Sequence, residues 1–285
     1  MENKTKSIKN NTKNQNQGKR IIEKNQVLSF FVLTLLIGWS PWLMGKGYVF
    51  FAAPTLAALI LAGYLKGRTG ISEIIERLKQ WRASPTLYAA TILLPAISYV
   101  GAIIINSILG GTIPTFQLLQ NPAMSVITFI MFLLPWQSSA FLEEVGFRGY
   151  ILEELQNKNG PIKGTLILGF FFGAWLLPEF YKTGSAQQLL GLSYYPWFIL
   201  TEIGFSLIMT WLYNKSGKSS LLSGVLFHTA INFWSYALLT NNVPGQPVAA
   251  FDVMLWKIAS VVVALSGVGV AWLTKWNLGF EKADS

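Results

Sequence analysis

The chain has 285 residues, of which 52% are hydrophobic and only 12% are charged, and its mean hydropathy is +0.43. This composition excludes an ordinary soluble domain and is typical of a polytopic membrane protein. The net charge of +9 lies mostly between apolar segments, so we attribute it to membrane topology and expect no nucleic-acid partner, and the lack of cysteine excludes disulfides and thiolate metal sites.

The N-terminal segment 1–26, "MENKTKSIKNNTKNQNQGKRIIEKNQ", is rich in Asn, Lys and Gln and poor in apolar residues. This composition predicts a disordered basic tail that lies near anionic lipid. The same Asn and Lys bias indicates an AT-rich bacterial genome, and we therefore expect a multi-pass protein of a bacterial plasma membrane.

Eight apolar segments follow, most of them near the roughly 20 residues that a helix needs to cross a bilayer. They predict an all-α bundle of about eight transmembrane helices over residues 27–276, followed by a short C-terminal tail, 277–285. The predicted spans are about 27–44, 48–65, 86–109, 126–156, 165–180, 198–214, 221–240 and 253–274.

Positive charge predicts the orientation of these spans. If the N-terminus is cytoplasmic, the segments on that side hold 18 of the 22 lysines and arginines. This asymmetry predicts that both termini are cytoplasmic. The segments assigned to that side are 1–26, 66–85, 157–164, 215–220 and the C-terminus.

The segment 71–82, "ISEIIERLKQWR", has isoleucine and leucine at spacings of three and four, with charges on the other face. This pattern predicts an amphipathic helix on the cytoplasmic surface. Two interpretations stay open, a helix that caps the bundle and a surface along which a substrate approaches.

The stretch 141–150, "FLEEVGFRGY", places three charges in an otherwise apolar span. Charges at this depth are costly, so each needs a partner or a watery cavity. Glu144 precedes Arg148 by four residues, which is the favourable order for a helical ion pair. Glu143 lies about 100° around the helix and has no partner in the same helix. We interpret Glu143 as a candidate general base for water, whereas Glu144 and Arg148 are as well explained by a structural ion pair.

The predicted span 221–240 contains the only histidine of the chain. His228 and Asn232 are four residues apart and therefore project from one helix face. Together they can hold a water, polarise a carbonyl or stabilise an oxyanion. The alternative is a histidine that only packs.

These two patterns, about 85 residues apart, resemble the CPBP family of membrane proteins, which includes the type II CAAX prenyl endopeptidases and the bacterial Abi and bacteriocin-processing proteins. Glu143, Glu144 and Arg148 match the family's EExxxR motif, and His228 and Asn232 match its HxxxN motif. The resemblance covers about residues 125–240. It implies that these five residues form the catalytic site of an intramembrane endopeptidase.

The family's middle motif, FxxxH, is incomplete in "FFGAWLLPEF". Phe172, Trp175 and Pro178 fit the motif, but Leu176 occupies the histidine position. Glu179, three residues later, is a candidate substitute, although Pro178 disturbs that turn.

The resemblance leaves the role of zinc open. Catalytic zinc normally needs three protein ligands, mostly His, Glu or Cys. With one histidine and no cysteine, only Glu143 and His228 are candidate ligands, and we expect little or no zinc binding. A metal-free route would use Glu143 to activate water and would use His228 and Asn232 to stabilise the oxyanion.

Two classes of function follow. One is an intramembrane endopeptidase, of reduced activity because the middle-motif histidine is absent, that acts on a peptide or membrane-protein substrate within the lipid bilayer. The other is a catalytically silent relative that serves as a membrane scaffold, a regulator or a bacteriocin immunity protein. A transporter is less consistent with the sequence, because no matching pair of interrupted helices is found.

Overall fold

The computed structural model describes residues 17–134, 139–242 and 251–281. These residues form helices joined by turns, and no strand occurs among them. The prediction of an all-α bundle is thereby confirmed. Residues 17–24 are helical, so this part of the predicted disordered tail is ordered, while residues 1–16 lie outside the described residues.

Twelve further α-helices of the described residues, labelled α1 to α12 here, follow in chain order from residue 26. They are α1 Gln26–Leu43, α2 Ala53–Lys66, α3 Arg68–Lys79, α4 Pro85–Ile108, α5 Pro122–Leu133, α6 Ser139–Gly146, α7 Leu152–Asn159, α8 Pro161–Trp175, α9 Ala186–Leu190, α10 Tyr195–Lys215, α11 Phe227–Leu239 and α12 Val253–Leu273. Two π-helical segments, Phe147–Ile151 and Leu221–Leu226, lead into α7 and α11, and two short 3₁₀ helices, Leu177–Phe180 and Leu192–Tyr194, flank α9.

Five of the described helical segments are long and apolar enough to cross a membrane. They are Gln26–Leu43, Pro85–Ile108, Pro161–Phe180, Leu192–Lys215 and Val253–Leu273. Helices α2 and α5 are apolar but shorter. The predicted continuous span 126–156 is wrong, because α5 ends at Leu133 and α6 begins at Ser139. The count of eight crossings and the cytoplasmic position of both termini stay predictions.

Local capping explains where several of these helices begin. The Ser84 side chain accepts a hydrogen bond from the Leu87 amide and caps α4, and the Asn121 side chain caps α5 in the same way. In both cases a proline follows at the first helical position, where its missing N–H leaves no donor unsatisfied. Asp252 caps α12 through two backbone amides, and its negative charge suits the positive end of the helix dipole.

Helices α10 and α12 pack at backbone distance. A Cβ atom added to Gly267 would lie 2.4 Å from the Gly204 carbonyl oxygen, so only glycine fits at this crossing. One hydrophobic core surrounds this contact between α10 and α12. A second core forms where α1 and α2 pack against α6 to α8. The charged part of α6 and the following π-helical segment lies between these two cores.

The segments predicted to be cytoplasmic contact one another at one end of the bundle. Helix α3 packs there through Ile74, which is 2% exposed, and Arg77 donates a hydrogen bond of 2.8 Å to the Gly149 carbonyl. Arg77 and Lys218 both form ion pairs with Glu153. Burial alone would raise the pKa of Glu153, but the charges of Arg77 and Lys218 outweigh it and lower the pKa.

The start of the predicted C-terminal tail belongs to the same end. Asn214 donates a hydrogen bond of 3.0 Å to the Leu278 carbonyl, and the Leu278 side chain is buried. At the opposite end, Thr115 bonds to Asn241. The two sets of connecting segments therefore lie at opposite ends, as the charge pattern predicts.

Candidate active site

One continuous helix with a π-helical segment carries three of the predicted site residues. Glu143 and Glu144 are in the last turn of α6, and Arg148 is in the π-helical segment that continues it. The two carboxylates are 0% exposed and Arg148 is 1% exposed. These groups are therefore removed from solvent, and each must be stabilised by protein contacts.

Arg148 neutralises Glu144, as the spacing predicts. Its Nη1 atom lies 3.0 Å from Glu144 Oε1 and 2.9 Å from Oε2. Its Nη2 atom donates to the Ser206 hydroxyl on α10 at 3.0 Å, and the guanidinium carbon lies 5.5 Å from the ring centre of Phe172. Arg148 thus ties α6 to α8 and α10.

His228 is bound to the same carboxylate. Its Nδ1 atom lies 3.1 Å from Glu144 Oε1, across 84 residues of sequence, and its ring packs edge-on against Phe172 at 5.7 Å. Because a carboxylate only accepts hydrogen bonds, this contact assigns the proton to Nδ1. In a neutral imidazole Nε2 is then a free acceptor. The sequence predicted no contact between His228 and Glu144, and this hydrogen bond places the imidazole on the carboxylate that also binds Arg148.

Glu143 is held from a different helix. Its Oε1 atom accepts a hydrogen bond of 2.8 Å from the indole N–H of Trp175 at the end of α8. The Trp175 carbonyl in turn accepts a hydrogen bond of 2.9 Å from Trp39. Oε2 is buried and has no hydrogen-bond partner among the described residues, although Ser139 lies near the carboxylate one turn earlier. One oxygen of Glu143 is therefore anchored, and the other is available.

Leu176 ends α8 directly after Trp175 and is 7% exposed within the hydrophobic core. The position therefore presents an apolar side chain in the core. Glu179 lies on the following 3₁₀ turn, where its Oε2 is 3.4 Å from Lys182 Nζ. No hydrogen bond or ion pair between described residues joins Glu179 to Glu143 or His228, so the geometry gives no support to Glu179 as a substitute.

Asn232 lies one turn after His228 on α11 and lines a cavity of 390 Å³. Within the part of the chain that the structure describes, its side-chain amide forms no hydrogen bond, so it is available to a ligand. The structure thus brings Glu144, Arg148 and His228 into one bonded cluster. Glu143 and Asn232 lie beside this cluster without a hydrogen bond to His228.

The donor set does not fit a catalytic zinc ion. Among the described residues, no three His, Cys, Asp or Glu side chains come close enough to hold a metal ion. Glu144 is already occupied by the Arg148 guanidinium, whose positive charge opposes a divalent cation in the same place. Glu143 and His228, the two ligand candidates from the sequence, are each held by a different partner. We therefore derive no step through zinc.

Two contributors to the site were not assigned from the sequence. Trp175 was noted only as part of the middle motif, and its N–H anchors Glu143. Ser206 carries no motif signal at all, yet it bonds to Arg148. Only the packing of α8 and α10 against α6 identifies them.

Comparisons with known proteins concern the segment of the chain that carries these residues. Residues 125–234 match the family model described as "Type II CAAX prenyl endopeptidase Rce1-like". This match includes all five predicted site residues and confirms the resemblance that the motifs indicate. Over this segment the chain is similar to helical membrane proteins of the CPBP type.

Similar proteins carry two different names. CAAX prenyl protease 2 of Methanococcus maripaludis is 28% identical over 185 residues, which are 63% of this chain and 67% of that protein. Lysostaphin resistance protein A of Staphylococcus haemolyticus is 23% identical over 129 residues, 44% of this chain and 33% of that protein. The protein of the same name from Staphylococcus aureus strain Newman is 22% identical over 162 residues, 56% of this chain and 35% of its own length. The matched part is thus about a third of the staphylococcal relatives.

Proposed function

We propose, because residues 125–234 match the family model of the type II CAAX prenyl endopeptidases, that this chain is an intramembrane endopeptidase in which Glu143 activates a water molecule. The observation that carries the proposal is the state of the Glu143 carboxylate. Trp175 fixes one oxygen at 2.8 Å, and the other oxygen is buried without a partner among the described residues. A buried acid with an unpaired oxygen contributes little to the stability of the fold, whereas a general base needs a free oxygen in a fixed place.

In the proposed reaction, Glu143 Oε2 takes a proton from water while the water oxygen attacks the peptide carbonyl carbon. The Asn232 amide donates a hydrogen bond to the oxyanion that forms. Protonated Glu143 then transfers its proton to the leaving amine, and the C–N bond breaks. This sequence needs one base and one oxyanion donor.

The contact between His228 and Glu144 suggests a role for the imidazole that differs from the one expected from the sequence. With its proton on Nδ1 toward Glu144, neutral His228 presents Nε2 as an acceptor for the second hydrogen of the attacking water. It would therefore orient the water, and oxyanion stabilisation would fall to Asn232. Glu144 and Arg148 would serve as positioning residues for the imidazole.

A second candidate function is a catalytically silent membrane scaffold, regulator or immunity protein. The observation that favours it is Leu176, which places an apolar side chain in the core at the position of the middle-motif histidine. The two candidates follow the two names among the relatives, since one name denotes a protease and the other denotes resistance to lysostaphin.

The test is a comparison of membrane proteomes from cells that carry the wild-type chain or Glu143→Gln. This substitution retains the size of the side chain and the acceptor for Trp175, but removes the base. We expect at least one peptide substrate to accumulate uncut in the variant. Glu179→Gln is the matched control, because this acid pairs with Lys182 and has no role in the reaction. An unchanged proteome together with an intact cellular phenotype in Glu143→Gln would favour the silent candidate.

A further inference from the structure

A cavity of 390 Å³ opens beside the candidate active site. Its volume is in the range of pockets that hold small ligands or single side chains. The wall is formed by segments near the bundle end where α12 begins. Part of it is aromatic, and rings from three segments of the chain contribute, namely Tyr194, Phe198, Tyr236, Phe251 and Trp256.

A carboxyl group that makes no hydrogen bond within the described residues also lines this cavity. Glu202, on α10, forms no hydrogen bond or ion pair with any residue of the described ranges 17–134, 139–242 and 251–281. An ionised carboxylate has room for about four donors, so its hydrogen-bonding capacity is unused. Glu202 lies one helical turn before Ser206, the residue that accepts from Arg148, and this spacing places the cavity next to the site.

The surrounding charges compensate Glu202 only in part. Arg148 and Glu144 are the charged groups that act on it most strongly. The donors of Arg148, however, are directed elsewhere, with Nη1 on Glu144 and Nη2 on Ser206. Glu143 adds a third acid to the region. The region therefore holds three carboxyl groups and one guanidinium, and an added positive charge beside Glu202 would stabilise the ionised form of that carboxyl group.

From this combination we infer that the cavity binds an organic cation, namely the ammonium or guanidinium end of a lysine or arginine side chain in a peptide. Glu202 supplies the charge-assisted hydrogen bond, and the aromatic wall supplies cation–π attraction. A metal ion is a poorer fit, because the wall offers one carboxylate and several aromatic rings. The assignment of this cation to a peptide substrate rests on the proposed function, whereas binding of the cation does not.

Asn232 connects the cavity to the reaction. It lines the cavity together with Glu202 and is the proposed oxyanion donor. A peptide whose basic side chain occupies the cavity would therefore have its backbone close to Asn232. This arrangement would select a substrate with a basic residue near the cleaved bond.

The experiment measures binding to full-length purified protein in detergent by saturation-transfer NMR titration. The probes are N-acetyl-lysine methylamide, its norleucine counterpart, which has a similar length without the charge, and putrescine. Each measurement is made on the wild-type protein, in which all three carboxyl groups are present, and is repeated in Glu143→Gln, in which hydrolysis cannot intervene and a failed protease hypothesis does not affect the result. We expect the lysine probe to bind at least tenfold more tightly than the norleucine probe.

The variant Glu202→Gln should abolish this tenfold preference, while Glu179→Gln should retain it. Tyr236→Leu should weaken the lysine probe at least threefold and leave the norleucine probe unchanged, and it provides a test if Glu202→Gln does not fold. Tighter binding of the lysine probe than of putrescine assigns the site to a peptide, and equal binding assigns it to a free amine. Equal binding of the lysine and norleucine probes, or a preference that survives Glu202→Gln, would overturn the inference.

Discussion

The buried ion pair between Glu144 and Arg148 provides the sharpest test of the site geometry. The substitution Arg148→Met retains an unbranched apolar stem but removes two hydrogen bonds to Glu144 and one to Ser206. Glu144, which is 0% exposed, then has no cation beside it. Removal of one partner of a buried pair typically costs about 3–5 kcal/mol, and we expect a loss in that range in the free energy of unfolding.

The assay is reversible unfolding in mixed micelles, followed by tryptophan fluorescence. The double variant Glu144→Gln/Arg148→Met is the control, since glutamine keeps an acceptor for His228 and removes the unpaired charge. We expect the double variant to lose less than about 1.5 kcal/mol, because a neutral buried group costs far less than an uncompensated charge. If Arg148→Met costs below about 1 kcal/mol, or if the double variant is as unstable as the single one, the pair is not the buried structural unit that we describe.

Three further predictions concern other parts of the molecule. A Cβ atom added at Gly38 would lie 2.1 Å from the Trp175 ring, so Gly38→Ala should lower the free energy of unfolding by about 1–3 kcal/mol. It should also reduce peptide hydrolysis, because Trp175 binds Glu143. Gly101→Ala, whose Cβ would meet no atom closer than 3.5 Å, should be neutral or slightly stabilising in the same assays, and equal effects would contradict the packing argument. The pKa of Glu153 is lowered in the folded state, so its ion pairs stabilise the fold fully above about pH 4.3, and this stabilisation is lost as the pH falls through the lowered value. In Glu153→Gln, the difference in the free energy of unfolding between pH 7 and pH 3.5 should therefore be smaller than in the wild type by about 1 kcal/mol. Leu176→His should raise peptidase activity at least tenfold, measured on the substrate found by proteomics, and a loss of activity would show that this position only packs.

Local spacing was sufficient to predict part of the site. The ion pair of Glu144 and Arg148 depends on a separation of four residues in one helix, and the structure places the two side chains as this separation predicts. The helical class and most span positions follow in the same way from continuous apolar segments. In these cases, the interacting residues are close together in the sequence, and helix geometry determines the contact.

The contacts between helices could not be predicted in this way. The bond between His228 and Glu144 joins residues 84 positions apart, and the bond between Trp175 and Glu143 joins residues 32 positions apart. Each of them depends on how far a helix is rotated against its neighbour. That rotation is set by close contacts such as the one of Gly38 with Trp175, which no single-helix pattern contains.

Both motif-bearing helices contain a π-helical segment, Phe147–Ile151 in one and Leu221–Leu226 in the other. A π turn accommodates one more residue than an α turn of the same span, so everything beyond it is rotated by about 100° relative to an uninterrupted α-helix. Each helix can therefore turn one face to the charged cluster and a different face to the end of the bundle where Arg77 pairs with Glu153. A chain shortened by one residue in either segment would still be a helix of nearly the same length, but one of its two halves would face away from its partners. Within these two helices, the exact number of residues constrains the protein as strongly as their chemical character.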